Sequence, residues 1–103
     1  MRIWKGWTSI KNAAIYEDML VREVFPAVQK KGVTGLEKVS ISKKSVEDEV
    51  EFLLLLRFDC LESVKTFAGE DYEAAYIPEN AKQVLLRYQD RATHYEFRKE
   101  LIF

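Results

Sequence analysis

From Glu49 to Phe58 the chain alternates like a strand and then stops alternating. Val50, Phe52, Leu54, Leu56 and Phe58 fall on one side of an extended segment, while Leu53 and Leu55 put apolar side chains on the other. An antiparallel strand with one solvated face carries polar residues there. This segment therefore predicts a strand covered on both faces at its centre. In a short chain, one set of helices covers only one face of a sheet. The simplest cover for the other is a second copy of the same chain. Which of the two apolar sets meets the helices stays open.

The flanking pattern supplies the remaining elements. Arg2 to Thr8 reads as a first strand, and Ser9 can cap a helix beginning near Lys11 and running to about Lys31. Ala13, Tyr16, Leu20, Val24 and Val28 recur at helical spacing. Pro26 falls inside that run and predicts a kink or break around Arg22 to Phe25. Leu36 to Lys43 reads as a second strand, Lys44 to Asp48 as a hairpin turn, and Glu49 to Phe58 as the third strand. Asp59 can cap a helix over Leu61 to Ala68, ended by Gly69. The acidic and aromatic stretch Glu70 to Ile77 is a helical turn or loop. Pro78 suits the start of a short helix to about Arg87. Gln89 to Arg91 is a turn, and Thr93 to Leu101 is the last strand.

This order, β-α-β-β-α-(α)-β, predicts an α+β protein of the ferredoxin-like kind, a four-stranded antiparallel sheet with helices on one face. Two such sheets packed through their open faces would form a two-fold homodimer, a dimeric α+β barrel. The alternative cover is the C-terminal segment Glu100 to Phe103, folded back over the open face.

Composition narrows the classes. A chain of 103 residues is one domain. With 48% apolar and 32% charged residues it is not a disordered sequence. The net charge is −1 and no Lys/Arg block exceeds two residues, which argues against a nucleic-acid-binding face. No apolar run approaches the roughly 20 residues of a membrane span. Met1 to Lys5 lacks the layout of a signal peptide, and the single cysteine, Cys60, cannot form an internal disulfide. A cytoplasmic protein is expected.

Beyond element order, the chain resembles the antibiotic biosynthesis monooxygenase domain family, the dimeric α+β barrel group. The resemblance lies in Arg2-Ile3-Trp4-Lys5-Gly6-Trp7-Thr8, Tyr16-Glu17-Asp18-Met19-Leu20 and Glu23-Val24-Phe25-Pro26, and continues through Glu51 to Asp59, Phe67 to Ala75 and His94-Tyr95-Glu96. It covers nearly the whole chain and speaks for a fold group more than for a reaction. It implies a small homodimer that binds a small molecule, with cofactor-free oxygenation of polyketide- or quinol-like aromatics as the activity; the alternative is a non-catalytic dimeric small-molecule-binding or stress-linked module. Haem-degrading members share an Asn, a Trp and a His around the haem. Here the first strand has no Asn, and Phe58 stands where many members show Trp, so no cofactor is implied.

Among single residues, Glu17 falls inside the apolar arc of the first helix. There it is either a base or acceptor facing a pocket, or a rim carboxylate whose head reaches water. His94, the only histidine, rules out a multi-histidine metal site. It is either an acid–base group of a pocket or part of an interstrand polar network. One expectation joins the two: Glu17 and His94 line one cavity, with Tyr72 as a third catalytic candidate on a lid-like segment. Trp4, Trp7, Tyr16, Phe67 and Tyr76 are candidate walls for a flat substrate, or else core and interface packing. Glu70, Asp71 and Glu73 read as a solvated face rather than metal ligands, and Arg87 and Arg91 as partners for an anion or for those acids. Cys60 reads as a small core residue.

Overall fold

A computed structural model describes residues 1–103. β1 (Arg2–Ser9) opens the chain, followed by α1 (Ile10–Met19), a π-helical turn over Leu20–Val24 and α2 (Phe25–Lys30). The hairpin β2 (Leu36–Val46) and β3 (Glu49–Phe58) comes next, then α3 (Leu61–Ala68), α4 (Glu79–Val84) and the short β4 (Arg87–Tyr88) and β5 (Thr93–His94). The sheet runs β2-β3-β1-β4, with β5 also on β1, and every pairing is antiparallel. β1 and β2 are therefore parallel to each other across β3, joined by the helical crossover. This is the strand order of a ferredoxin-like α+β fold.

Each boundary has a local cause. The Ser9 hydroxyl accepts the Asn12 amide at 3.1 Å and caps α1. Pro26 has no amide hydrogen and its ring crowds the preceding turn. The helix widens ahead of it into the π turn, where the Phe25 amide reaches back five residues to the Leu20 carbonyl. The break expected around Arg22 to Phe25 takes the form of this π turn over Leu20–Val24. Asp59 does not take the N-cap position of α3; Cys60 does. Asp59 instead accepts the Ser63 hydroxyl at 2.5 Å.

That Asp59–Ser63 pair presses on Gly35. A Cβ there would lie 2.1 Å from Ser63 Oγ and 2.3 Å from Asp59 Oδ1, at a φ of +90°. The Gly35 carbonyl also accepts the Asp59 amide at 2.9 Å, tying the start of β2 to the end of β3. Gly35→Ala adds a clash to a strained backbone, and a loss of at least about 1–3 kcal/mol is expected by chemical denaturation. A midpoint unchanged from wild type would show that this junction gives way freely.

The helices cover one sheet face only. Val50, Phe52, Leu54, Leu56 and Phe58 of β3 pack there with Trp4, Tyr16, Leu20 and Val64. Leu53 and Leu55 point the other way, beside Lys5 and Ile3 of β1 and Ser42 and Ser40 of β2. The five-residue apolar set thus belongs to the subunit core, which periodicity alone left undecided.

Three expectations at the C-terminal end are corrected. The last helix stops at Val84, and Arg87–Tyr88 is a strand pairing with Gly6 and Trp7. The final strand is Thr93–His94 alone, not Thr93 to Leu101. β4 and β5 are two pieces of one edge, separated where residues 90–92 turn away to pair with Glu73–Ala75. After His94, Tyr95 exchanges hydrogen bonds with Met1 and the chain then runs past the end of β1 without regular structure. Nor does Glu100 to Phe103 fold back as a cover: Leu101, Ile102 and Phe103 are 77%, 90% and 112% exposed. The hairpin turn is also tighter than expected, with β2 reaching Val46 and only Glu47–Asp48 between the strands.

Candidate functional site

Two cavities meet at one polar contact. The first is a small apolar chamber of about 50 Å³ between the helices and the sheet, walled by Trp4, Tyr16, Leu20, Leu54, Phe67 and Tyr76. The second is an open groove of about 720 Å³ between the ends of β3 and α3 and the C-terminal segment, bounded by Phe58, Val64, Tyr72, His94, Tyr95 and Phe97. Arg2 belongs to the wall of the chamber and His94 to the wall of the groove. Their side chains meet, Arg2 Nη1 to His94 Nε2, at 3.1 Å.

Arg2 occupies an inward position of β1, in phase with Trp4, Gly6 and Thr8. Its guanidinium donates to the Tyr72 carbonyl and, at 2.9 Å, to the Ala74 carbonyl. These bonds fasten the 70–78 loop to the sheet. The loop is held from outside as well, because Arg91 pairs with Asp71 at 2.6 Å and Glu73 at 3.6 Å. Arg2 carries no carboxylate partner, and burial works against its charge. The signal for it was available in the sequence, a charged residue in the inward phase of an otherwise apolar strand.

His94 faces Arg2 across the β1–β5 pairing. Its ring stands edge-on to Tyr72 with centroids 5.3 Å apart. Nδ1 is buried and has no hydrogen-bond partner. Burial, and then the Arg2 charge, hold the imidazole below its ordinary value of 6.5; the Glu73 carboxylate pulls the other way more weakly. Folding therefore favours the neutral ring. The unfolded chain binds the proton more readily, so this contribution to stability is complete above pH 6.5 and is lost as pH falls toward the lowered folded-state value. Since no other histidine titrates there, stability should decline on acidification from about pH 7 to 5.5, and His94→Gln should remove that slope. An equal slope in the variant would place the titrating group elsewhere.

Glu17 is not part of this arrangement. It pairs with Lys43 at 2.7 Å, with its side chain 47% exposed. Lys43 continues the Val39–Ile41 phase of β2 toward the sheet margin, so the apolar arc of α1 meets an ammonium there. The expectation that Glu17 and His94 line one cavity is thus corrected, since Glu17 borders neither the chamber nor the groove. Trp7 lies apart as well, on the open sheet face, with the Arg87 guanidinium 4.7 Å above its ring and Arg87 bonded to Glu49 at 2.6 Å.

The remaining candidates divide between the two cavities. Trp4 is buried and donates its indole N–H to the Gln89 carbonyl at 2.8 Å. Tyr16 is buried edge-on to Phe52, and burial raises its hydroxyl pKa. Phe67 joins Phe58 to Tyr76, which is itself half exposed. Tyr72 lies with His94. Cys60, expected in the core, is exposed. No group of three His, Cys, Asp or Glu side chains is placed to hold a metal ion, and no helix is long and apolar enough to cross a membrane.

No family model matches the chain, and no curated protein matches it either.

Proposed function

We propose that this chain is a monooxygenase-like homodimer of the dimeric α+β barrel group, whose groove takes a small aromatic molecule of polyketide or quinol type without a cofactor. The observation that carries the reading is the pairing of His94 and Tyr72 on a groove of ligand size. Ligand pockets run to about 300–1,000 Å³, lined by apolar and aromatic side chains with few polar groups. Cofactor-free oxygenation needs a polar group beside the substrate, because the substrate reacts as its anion, and His94 and Tyr72 are the polar side chains at that place on the groove wall.

Dimerisation is supported from the opposite side of the sheet. Ile3, Trp7, Leu53 and Leu55 share the face that no helix covers, with Lys5 among them opposite Leu53 and with Lys44, Glu49 and Glu51 toward the hairpin end. Glu51 stands between Lys5 at 4.0 Å and Lys44 at 3.9 Å, an alternation of sign that a two-fold copy can meet with its own. The exposed arm continues this surface, since Phe97 stacks 3.9 Å from the Arg57 guanidinium, next in phase to Leu55.

A second reading, a binding module with no turnover, is favoured by the position of Glu17. With that carboxylate on the surface, the groove's own carboxylates are all engaged, Glu37 by Arg57, Glu96 by Arg98 and Asp59 by the Ser63 hydroxyl, which leaves none free as a base. Oxygen uptake with a simple quinol separates the two. The enzyme reading expects turnover that falls at least about 100-fold in His94→Ala and persists in Glu17→Gln. Binding of the quinol without oxygen uptake decides for the module. Neither binding nor uptake sinks both.

A further inference from the structure

We infer that the C-terminal arm, residues 96–103, adds as a strand to the free outer edge of β2 in a second copy of the chain, and that the two copies exchange arms. The inference rests on the homodimer reading and names the segment that joins the two sheets. It begins with unused backbone. Tyr95 bonds with Met1, and past it no residue of the arm gives or takes a backbone hydrogen bond. Folded chains make about one hydrogen bond per residue, and eight successive residues here contribute none from the backbone. Their side chains are exposed as well. In its own subunit the arm starts beside β1, and β3 lies between it and β2.

β2 holds the matching vacancy. It is the outermost strand, bonded to β3 alone, and runs for 11 residues without a proline. The hairpin turn has two residues, so its closing pair, Val46 and Glu49, is hydrogen-bonded and the ladder alternates from there. Ser42 and Lys44 therefore turn their backbone groups to β3. Ile41, Lys43 and Ser45 turn theirs outward, where no strand meets them. A long edge of this kind is a template for another strand. Charge selects which strand. A second β2 would set Lys38, Lys43 and Lys44 against their own copies. The arm brings Glu96 and Glu100 with Arg98 and Lys99. Glu37, Lys43, Lys44 and Glu96 have partners within the subunit, whereas Lys38 and Glu100 make no salt bridge there.

The side chains agree with this placement. Extended, the arm has one charged phase, Glu96, Arg98 and Glu100, and a second that is apolar except for Lys99, namely Phe97, Leu101 and Phe103. Phe97 already lies over Arg57 on the open sheet face. With its phase turned inward, Leu101 and Phe103 extend the Leu53–Leu55 surface while the charged phase faces water. Eight extended residues span roughly 26 Å, against roughly 10 Å between packed sheets, so the arm can cross and still pair along part of β2. A two-fold axis repeats the contact, and each copy gives one arm and receives one. Tyr95, Glu96 and Phe97 also bound the groove, so the partner's hold on the arm fixes one of its walls.

The test is amide hydrogen exchange, read by NMR on the full chain at a concentration where light scattering finds it paired. In the paired wild type the outward amides of Ile41, Lys43 and Ser45 are expected to be protected alongside those of Ser42 and Lys44. A chain lacking residues 99–103, studied at a concentration that keeps it paired, should exchange the outward three at least about tenfold faster and leave Ser42 and Lys44 unchanged. Outward amides that exchange freely in the paired wild type overturn the inference and leave the face-to-face dimer standing. Outward amides that stay protected in the paired truncated chain do the same, because something other than the arm then covers the edge. A wild-type chain that stays single overturns both.

Discussion

Replacing Phe52 by Ala is expected to lower folding stability by about 3–5 kcal/mol. Phe52 is 0% exposed, and its ring meets Tyr16 edge-on at 4.9 Å between centroids. It lies at the middle of β3, opposite Gly6 on β1 and Lys43 on β2. Truncation removes apolar area from the centre of the core and leaves a cavity that Tyr16 cannot fill without leaving its own site. Single domains of this size hold about 5–15 kcal/mol in all, so a large share of the total is at stake. In urea the midpoint should fall with the slope unchanged, since the surface exposed on unfolding is nearly the same. A loss below about 1 kcal/mol would mean that the two layers pack less closely than described.

Leu53, one residue along, gives the contrast. It sits on the uncovered face, so Leu53→Ala leaves the subunit core intact. Its cost should depend on protein concentration, because a contact between copies stabilises by mass action. The Phe52→Ala loss should not. Two adjacent residues on one strand thus separate the layer that folds the chain from the layer proposed to pair it.

Much of the fold was legible because periodicity reports burial directly. The five alternating apolar residues of β3 face the helices, and the proline-induced break appears as the π turn before Pro26. The α3 boundaries, Leu61 and Ala68, follow from a turn before and a glycine after. The failures share a physical cause. Arg87–Tyr88 continues a helical run in sequence and becomes a strand only because β1 presents a free edge to it. Tyr95 and Phe97 alternate like a strand, yet a strand needs an edge to pair with, and only Tyr95 finds one, in its hydrogen bonds with Met1. Glu17 lay in an apolar arc because its partner, Lys43, is distant in sequence. His94 and Tyr72 were candidates singly, but their meeting depends on Arg2, whose two carbonyl bonds to the 70–78 loop have no local signature. The candidate site was visible as residues and hidden as geometry.

The second large effect is expected on the open face. Leu53→Glu combined with Leu55→Glu puts carboxylates at its centre, beside Lys5 and Ile3 of β1. In a separate chain these side chains reach water at little cost. Between two sheets they would be buried with Lys5, already 4.0 Å from Glu51, as the one cation directly opposite, at a cost of at least about 4 kcal/mol, roughly a thousandfold in Kd. The double variant should run as one chain with the far-ultraviolet dichroism of the wild type. Removal of Lys99–Phe103 should weaken pairing by a smaller factor, because Leu101, Ile102 and Phe103 touch little of their own subunit. A double variant that retains the wild-type mass would move the interface elsewhere.

The proposed class stands or falls on pairing, since the open sheet face is the feature that β3 announces and that no helix covers. Light scattering on the wild-type chain at micromolar concentration measures this directly. The account predicts twice the 12.1 kDa mass of the chain. A particle of 12.1 kDa would contradict it.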